Sequence, residues 1–85
     1  MLKIVIGSGY LDKDDNEHYN EAIGEKSSAF GFINTASGIG SVAVGSQNIS
    51  FGENSTTFGL QNKANGKNST AIGFKNITNG SDSIV

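Results

Sequence analysis

Hydrophobic and polar positions in this chain recur with a fixed period. Glycines stand at 24, 31, 38, 45, 52, 59, 66, 73 and 80, nine in succession at an interval of seven with no insertion or deletion. Two places before each stands a small residue: Ala22, Ala29, Ala36, Ala43, Ser50, Thr57, Ala64, Ala71 and Thr78. Four places before each, Asn and Ser alternate from Asn20 and Ser27 up to Asn76, and Ser83 continues the series. The repeating unit is therefore 14 residues long and made of two inequivalent heptads. Regularity of this kind marks a stacked architecture in which each unit touches only its neighbours.

A period of seven also suits a coiled coil, but an obligatory Gly in each heptad costs about 1 kcal/mol in a helix, and the apolar residues do not fill the two seam positions. Within a heptad such as Ser41-Val42-Ala43-Val44-Gly45, β-branched residues alternate about a small centre. That is the period of a strand closed by a Gly turn. The pattern predicts an all-β chain, a parallel β-roll or β-solenoid whose 14-residue coils each hold two short strands and two turns.

If the small residue points inward, its neighbours point out. In the heptads ending at Gly31, Gly45, Gly59 and Gly73, the flanking residues are Phe30 and Phe32, Val44 and Ser46, Phe58 and Leu60, Ile72 and Phe74, seven of eight apolar. In the other series, ending at Gly24, Gly38, Gly52, Gly66 and Gly80, only Ile23, Ile39 and Phe51 are apolar among ten. One sheet thus carries a continuous apolar stripe, the other is mostly wet, and the interior of Ala, Ser and Asn is thin. A solitary chain rarely exposes such a stripe. Self-association is predicted through Phe30, Phe32, Val44, Phe58, Leu60, Ile72 and Phe74, with cyclic closure as the usual route. The alternating Asn and Ser read as stacked hydrogen-bond ladders that satisfy buried backbone.

Composition sharpens the picture. Leu, Ile, Val and Phe total 21 of 85 residues, and there is no Cys or Pro to staple a thin core. A monomer of this size buries only ~60–65% of its unfolded surface, so association must supply more. The net charge of −2, with six Lys and no Arg, lacks the basic stripe that phosphate neutralisation requires, which argues against nucleic acid as a partner. Ile4-Val5-Ile6 is far too short for a membrane span or the apolar core of a signal peptide, so no membrane insertion is expected of this segment. With one His, no Cys and no Arg, the chain is not expected to be an enzyme, and no catalytic site, metal or cofactor is assigned.

Asn68-Ser69-Thr70-Ala71-Ile72-Gly73, Asn54-Ser55-Thr56-Thr57-Phe58-Gly59 and Ser41-Val42-Ala43-Val44-Gly45-Ser46 resemble the N-S-V-A-I-G motif repeated in the YadA-like head of trimeric autotransporter adhesins. The resemblance covers roughly residues 20–85. It implies a left-handed parallel β-roll, three copies of which pack side by side as a homotrimer on the bacterial cell surface, anchored in the outer membrane in the full-length protein. It also implies a host extracellular matrix protein such as collagen or fibronectin, or a cell receptor, as partner, and many such heads assemble with themselves. The chain shows no signal peptide, stalk heptads or anchoring barrel, and reads as an excised head or a stand-alone protein using the same roll. The alternative is a purely structural segment of a trimeric fibre or spike on a virion, with recognition elsewhere. Ice binding ranks below both, because Thr35, Thr56, Thr57, Thr70 and Thr78 are not in register.

Residues 1–19 stand apart as a first coil with an inserted acidic loop, and 20–85 form one continuous run of head repeats. Lys3-Ile4-Val5-Ile6-Gly7 reads as another strand and turn, but Gly7 to Gly24 spans 17 residues where the register gives 14, an insertion of three. The charges place it in Asp12-Lys13-Asp14-Asp15-Asn16-Glu17. Asp12, Asp14 and Asn16 match the first half of an EF-hand loop, yet Glu17 replaces its Gly and Ile23 its bidentate Glu, so the segment reads as a plain acidic loop. Irregular insertions on a rigid repeat are where individual recognition resides, so Tyr10, Asp12, Asp14, Asp15, His18 and Tyr19 are the candidate ligand contacts. Five glycosylation sequons, at Asn48, Asn54, Asn68, Asn76 and Asn79, follow from an Asn- and Ser-rich repeat and carry little information.

Overall fold

The two heptads of each repeat fold as the two walls of a solenoid. The structure, a computed structural model, describes residues 2–11, 13–15 and 17–85. Its strands are β1 (Ile4–Ser8), β2 (Tyr10–Leu11), β3 (Glu17–His18), β4 (Glu21–Ala22), β5 (Ser28–Phe32), β6 (Thr35–Ala36), β7 (Val42–Ser46), β8 (Ile49–Ser50), β9 (Thr56–Leu60), β10 (Lys63–Ala64), β11 (Thr70–Phe74) and β12 (Ile77–Thr78). The five-residue strands stack in parallel in the order β1-β5-β7-β9-β11, and the two-residue strands in the order β4-β6-β8-β10-β12. From β5 onward each residue pairs with its counterpart 14 positions away, as Ala43 does with Ala29 and Thr57. The all-β, parallel solenoid read from the spacing is what forms.

Side chains at the small position meet in the middle. Ala29, Ala36, Ala43, Ala64 and Ala71 are fully buried, together with Ser50 and Thr57. These last two, departures from Ala in the repeat, face each other: Ser50 Oγ lies 2.8 Å from Thr57 Oγ1 and donates to the Val42 carbonyl at 2.6 Å. Two polar intrusions are thereby satisfied together instead of each losing its solvation.

Asn and Ser alternate because the two corners of the coil close differently. At one corner a buried Asn stacks on the Asn one coil away. Asn48 Nδ2 donates to Asn34 Oδ1 at 3.0 Å, to the Val44 carbonyl at 3.0 Å and to the Gly59 carbonyl at 2.8 Å, and its main-chain N–H also reaches Asn34 Oδ1 at 3.0 Å. Asn20, Asn34, Asn62 and Asn76 continue the ladder. Room for the amide comes from the glycine three residues earlier: a Cβ on Gly45 would lie 2.9 Å from Asn48 Nδ2 and 2.1 Å from the Gly59 carbonyl oxygen. This glycine sits inside β7 with φ of 124°, so the expected Gly turn is displaced to the two residues that follow.

The other corner is a tight turn from Gly to Ser. Ser27 N–H donates to the Gly24 carbonyl at 3.2 Å, and Ser27 Oγ to the same oxygen at 2.6 Å. Ser69 and Ser83 repeat the hydroxyl bond on Gly66 and Gly80. The expected serine ladder is thus corrected: the hydroxyls of Ser27, Ser69 and Ser83 bond locally to their own turn, those of Ser41 and Ser55 are buried without a hydrogen-bond partner, and none bonds the serine of the next coil, because their reach is too short to span the spacing between coils. Both corners place the second residue after Gly in the left-handed region, at Ile33, Gln47, Gln61 and Lys75 on the Asn side and Lys26, Gly40, Asn54, Asn68 and Asp82 on the Ser side.

The first coil departs from the expected insertion. Gly7 pairs with Gly31, an offset of 24 against 14 elsewhere, so ten residues are inserted, not three. Gly7 belongs to the apolar series, for which the interval to Gly24 would be seven. The extra residues grow from the Asn corner, between Ser8 and Asn20, as an antiparallel hairpin of β2 and β3 in which Tyr10 pairs with His18.

Candidate functional site

Alternation along the long strands gives their sheet one outward face. Phe30, Val44, Phe58 and Ile72 occupy one register column, with Phe32, Ser46, Leu60 and Phe74 in a second column two residues along. All seven residues predicted to form the stripe therefore share one surface. Phe30 and Val44 are half-buried by their neighbours, whereas Phe58, Ile72 and Phe74 are 52%, 54% and 59% exposed. The third outward column, Ser28, Val42, Thr56 and Thr70, is small or β-branched. Among the described residues no charge interrupts this face; Lys75 lies beside it with its ammonium 5.1 Å from the Phe74 ring centre.

Ile4 and Ile6 extend the face downward through their pairing with Ser28 and Phe30, and both are exposed. Sequence reasoning left them out because it placed Gly7 in the polar series. The sequence Ile4-Val5-Ile6-Gly7, so close to Val42-Ala43-Val44-Gly45, carries the signal that assigns them.

The short-strand sheet presents a different outward surface. One column runs Glu21, Thr35, Ile49, Lys63, Ile77, and the next runs Ile23, Ser37, Phe51, Asn65, Asn79, joined by main-chain bonds such as Phe51 N–H to the Ala64 carbonyl at 2.8 Å. At the adjoining corner stand Glu25, Ile39, Glu53, Lys67 and Ser81, with Lys67 Nζ 3.5 Å from Glu53. Phe51 is 62% exposed in the middle of this mostly polar sheet.

The hairpin carries the other candidates. Asp14 and Asp15 are exposed at its turn, Asp15 with φ of 63°, while His18 is half-buried and Tyr19 about half-exposed. Tyr10 joins them through β2, and Asp12 lies outside the described residues, as does Asn16 of the EF-hand-like pattern. Among the described residues no three His, Asp or Glu side chains come together as a metal-binding group. No described helix is long and apolar enough to cross a membrane.

No curated protein and no solved structure matches the chain. The family model for the YadA head domain repeat matches residues 22–48, 36–62, 52–76 and 64–85. These overlapping matches span every coil above the hairpin and well beyond half of the sequence, so the chain belongs to the YadA head domain repeat family.

Proposed function

We propose that this chain is the head module of a trimeric surface adhesin. Three copies bury the long-strand faces against one another and turn the short-strand sheets and the hairpins outward, toward a host matrix protein or cell-surface receptor. The full-length protein displays the module at the bacterial cell surface. The carrying observation is the uncharged apolar face five strands tall, whose Phe58, Ile72 and Phe74 are more than half-exposed in a single chain. A soluble protein leaves such a patch open only where something covers it. Binding then works through multivalency: three copies of a flat, repetitive surface give avidity without a deep pocket.

Light scattering coupled to size exclusion tests the assembly. The expected mass is about three times the 8.8 kDa of one chain. Phe58→Asp sets three carboxylates against one another within the trimer and should reduce it to monomers. A variant that keeps the native mass and melting temperature shows that another face is buried. On immobilised matrix proteins the intact trimer should bind about 100-fold more tightly than the monomeric variant.

A further inference from the structure

Two asparagines on the short-strand sheet are followed by glycine, Asn65-Gly66 and Asn79-Gly80. The repeat fixes Gly at this place, so any Asn in the outward column before it creates the pair. Asparagine is chemically labile, and most so here, because without a Cβ on the next residue its main-chain nitrogen can close on the side-chain amide carbon. In a folded chain the outcome depends on what already holds that N–H and that amide.

Elsewhere the fold holds the N–H. After Asn20, Asn34, Asn48 and Asn62 it belongs to Glu21, Thr35, Ile49 and Lys63, which donate to the Asn carbonyl one coil away at 2.8, 2.8, 2.9 and 2.8 Å. After Asn54 and Asn68 it belongs to Ser55 and Ser69, which donate to the Gly52 and Gly66 carbonyls at 3.1 and 3.3 Å. The N–H groups of Gly24, Gly38 and Gly52 likewise reach the next coil at 3.3, 3.2 and 3.1 Å. Among the described residues no acceptor holds the N–H of Gly66 or of Gly80. The two side-chain amides are unequal as well. Asn65 Nδ2 donates to Asn79 Oδ1 at 2.8 Å, which ties the amide nitrogen of Asn65 and polarises the amide carbonyl of Asn79.

We propose that Asn79 is a self-modifying site, which deamidates through Gly80 with Asn65 as the activating donor. The Gly80 nitrogen gives its proton to hydroxide and attacks Asn79 Cγ. Negative charge develops on Oδ1, where the Asn65 N–H already points. The Cγ–Nδ2 bond then breaks, the nitrogen takes a proton from water and leaves as ammonia, and a succinimide ring remains. Water adds to either ring carbonyl and opens it to an aspartyl or an isoaspartyl residue. The balance is one amide and one water in, one carboxylic acid and one ammonia out, with no oxidant, reductant or enzyme. The product places a negative charge on an outward column of the sheet. In its isoaspartyl form it also adds a main-chain atom just before the turn that Ser83 Oγ closes on the Gly80 carbonyl at 2.7 Å. The site needs no trimer, since Asn79 is exposed in a single chain.

Peptide mapping by mass spectrometry of the folded chain, held at constant temperature for increasing times, tests this. The peptide holding Asn79 should gain about 1 Da ahead of every other Asn peptide, with isoaspartate shown by enzymatic methylation. Its rate should rise about tenfold per pH unit, as proton loss to hydroxide requires. Folded, Asn79 should convert at least ~5-fold faster than Asn65, whereas in concentrated urea the two Asn-Gly pairs should convert alike. Gly80→Ala, whose Cβ meets no atom within 4 Å, should keep the fold yet slow conversion at least ~10-fold. Asn65→Ala should slow it about 3- to 10-fold, an exposed donor being worth less than a buried one. The proposal is overturned if the Asn79 peptide keeps its mass, or if Asn54, Asn68 or a ladder Asn converts as fast in the folded chain. Equal folded rates at Asn65 and Asn79, or a rate unchanged by Gly80→Ala or by Asn65→Ala, overturns it too.

Discussion

Asn48 gives the sharpest test of what holds the solenoid together. Its side chain is fully buried; Nδ2 faces three acceptors within 3.0 Å, while Oδ1 accepts from the Asn62 main-chain N–H at 2.9 Å and from Asn62 Nδ2 at 3.2 Å. Asn48→Asp keeps the shape and the Oδ1 acceptor but sets a second oxygen against Asn34 Oδ1 and the carbonyls of Val44 and Gly59. One protonated oxygen can satisfy only one of those acceptors, so loss of the amide donors alone should cost about 1–3 kcal/mol. Ionisation at this site places a buried charge among acceptors, and the introduced carboxyl should have its folded pKa raised by ~3–5 units over the unfolded ~3.9. Below about pH 4 both states are neutral and only the donor loss remains. Above it the unfolded chain ionises while the folded chain does not, so stability falls by about 1.4 kcal/mol per pH unit, an added loss of about 4 kcal/mol by neutral pH. Urea unfolding between about pH 4 and pH 7, at fixed protomer concentration and relative to wild type, measures this slope. Asn79→Asp is the control, because exposed Asn79 accepts from Asn65 Nδ2 at 2.8 Å and a carboxylate accepts equally well. A flat difference between Asn48→Asp and wild type across that range, or one equal to the control, would refute the ladder as a buried structural element.

Two further substitutions probe the backbone. Gly45→Ala should cost at least ~3 kcal/mol, because its Cβ would meet the Gly59 oxygen at 2.1 Å in a φ of 124° that L residues rarely adopt, whereas Gly80→Ala, with no atom within 4 Å of its Cβ, should change the urea midpoint little. Ile33→Asn should stabilise by about 1 kcal/mol in the same assay, since a β-branched residue is held at φ of 57° where Asn is tolerated. Equal midpoints for the two Ala variants would show that close approach of successive coils does not set the period.

Legibility followed periodicity. The 14-residue coil, the inward Ala column and the outward stripe could be read because side-chain direction in a strand alternates with a period of two, and each coil repeats the choice. The corners could not be read the same way. That Asn48 laces three carbonyls while Ser27 closes a turn on Gly24 depends on how far each side chain reaches, which spacing does not encode. The left-handed column hides for a related reason: Ile33, Gln47 and Lys75 are residues that no local preference would put there, held by the main-chain bonds on either side. The hairpin was located by its charge, but its length was miscounted because a glycine does not declare which of two series it belongs to. Only the pairing of Gly7 with Gly31 does.

The interior also bears on the proposed assembly. Among the described residues its buried apolar side chains are five alanines, while Phe30, Phe58, Ile72 and Phe74 lie on the outside. Full burial of a large apolar side chain contributes about 1.5–3 kcal/mol, and an Ala methyl much less, so the lone coil stack rests on its hydrogen-bond ladders and, in the proposed trimer, would gain its hydrophobic term where copies meet. Stability should then depend on protomer concentration. For unfolding coupled to dissociation of three chains, each tenfold dilution removes about 2.7 kcal/mol per trimer. Thermal melts followed by circular dichroism across a hundredfold dilution should shift steadily downward, and Phe58→Asp should melt at one temperature throughout. A wild-type midpoint that did not move with concentration would mean that the ladders alone carry the fold and that the apolar face serves a partner other than this chain.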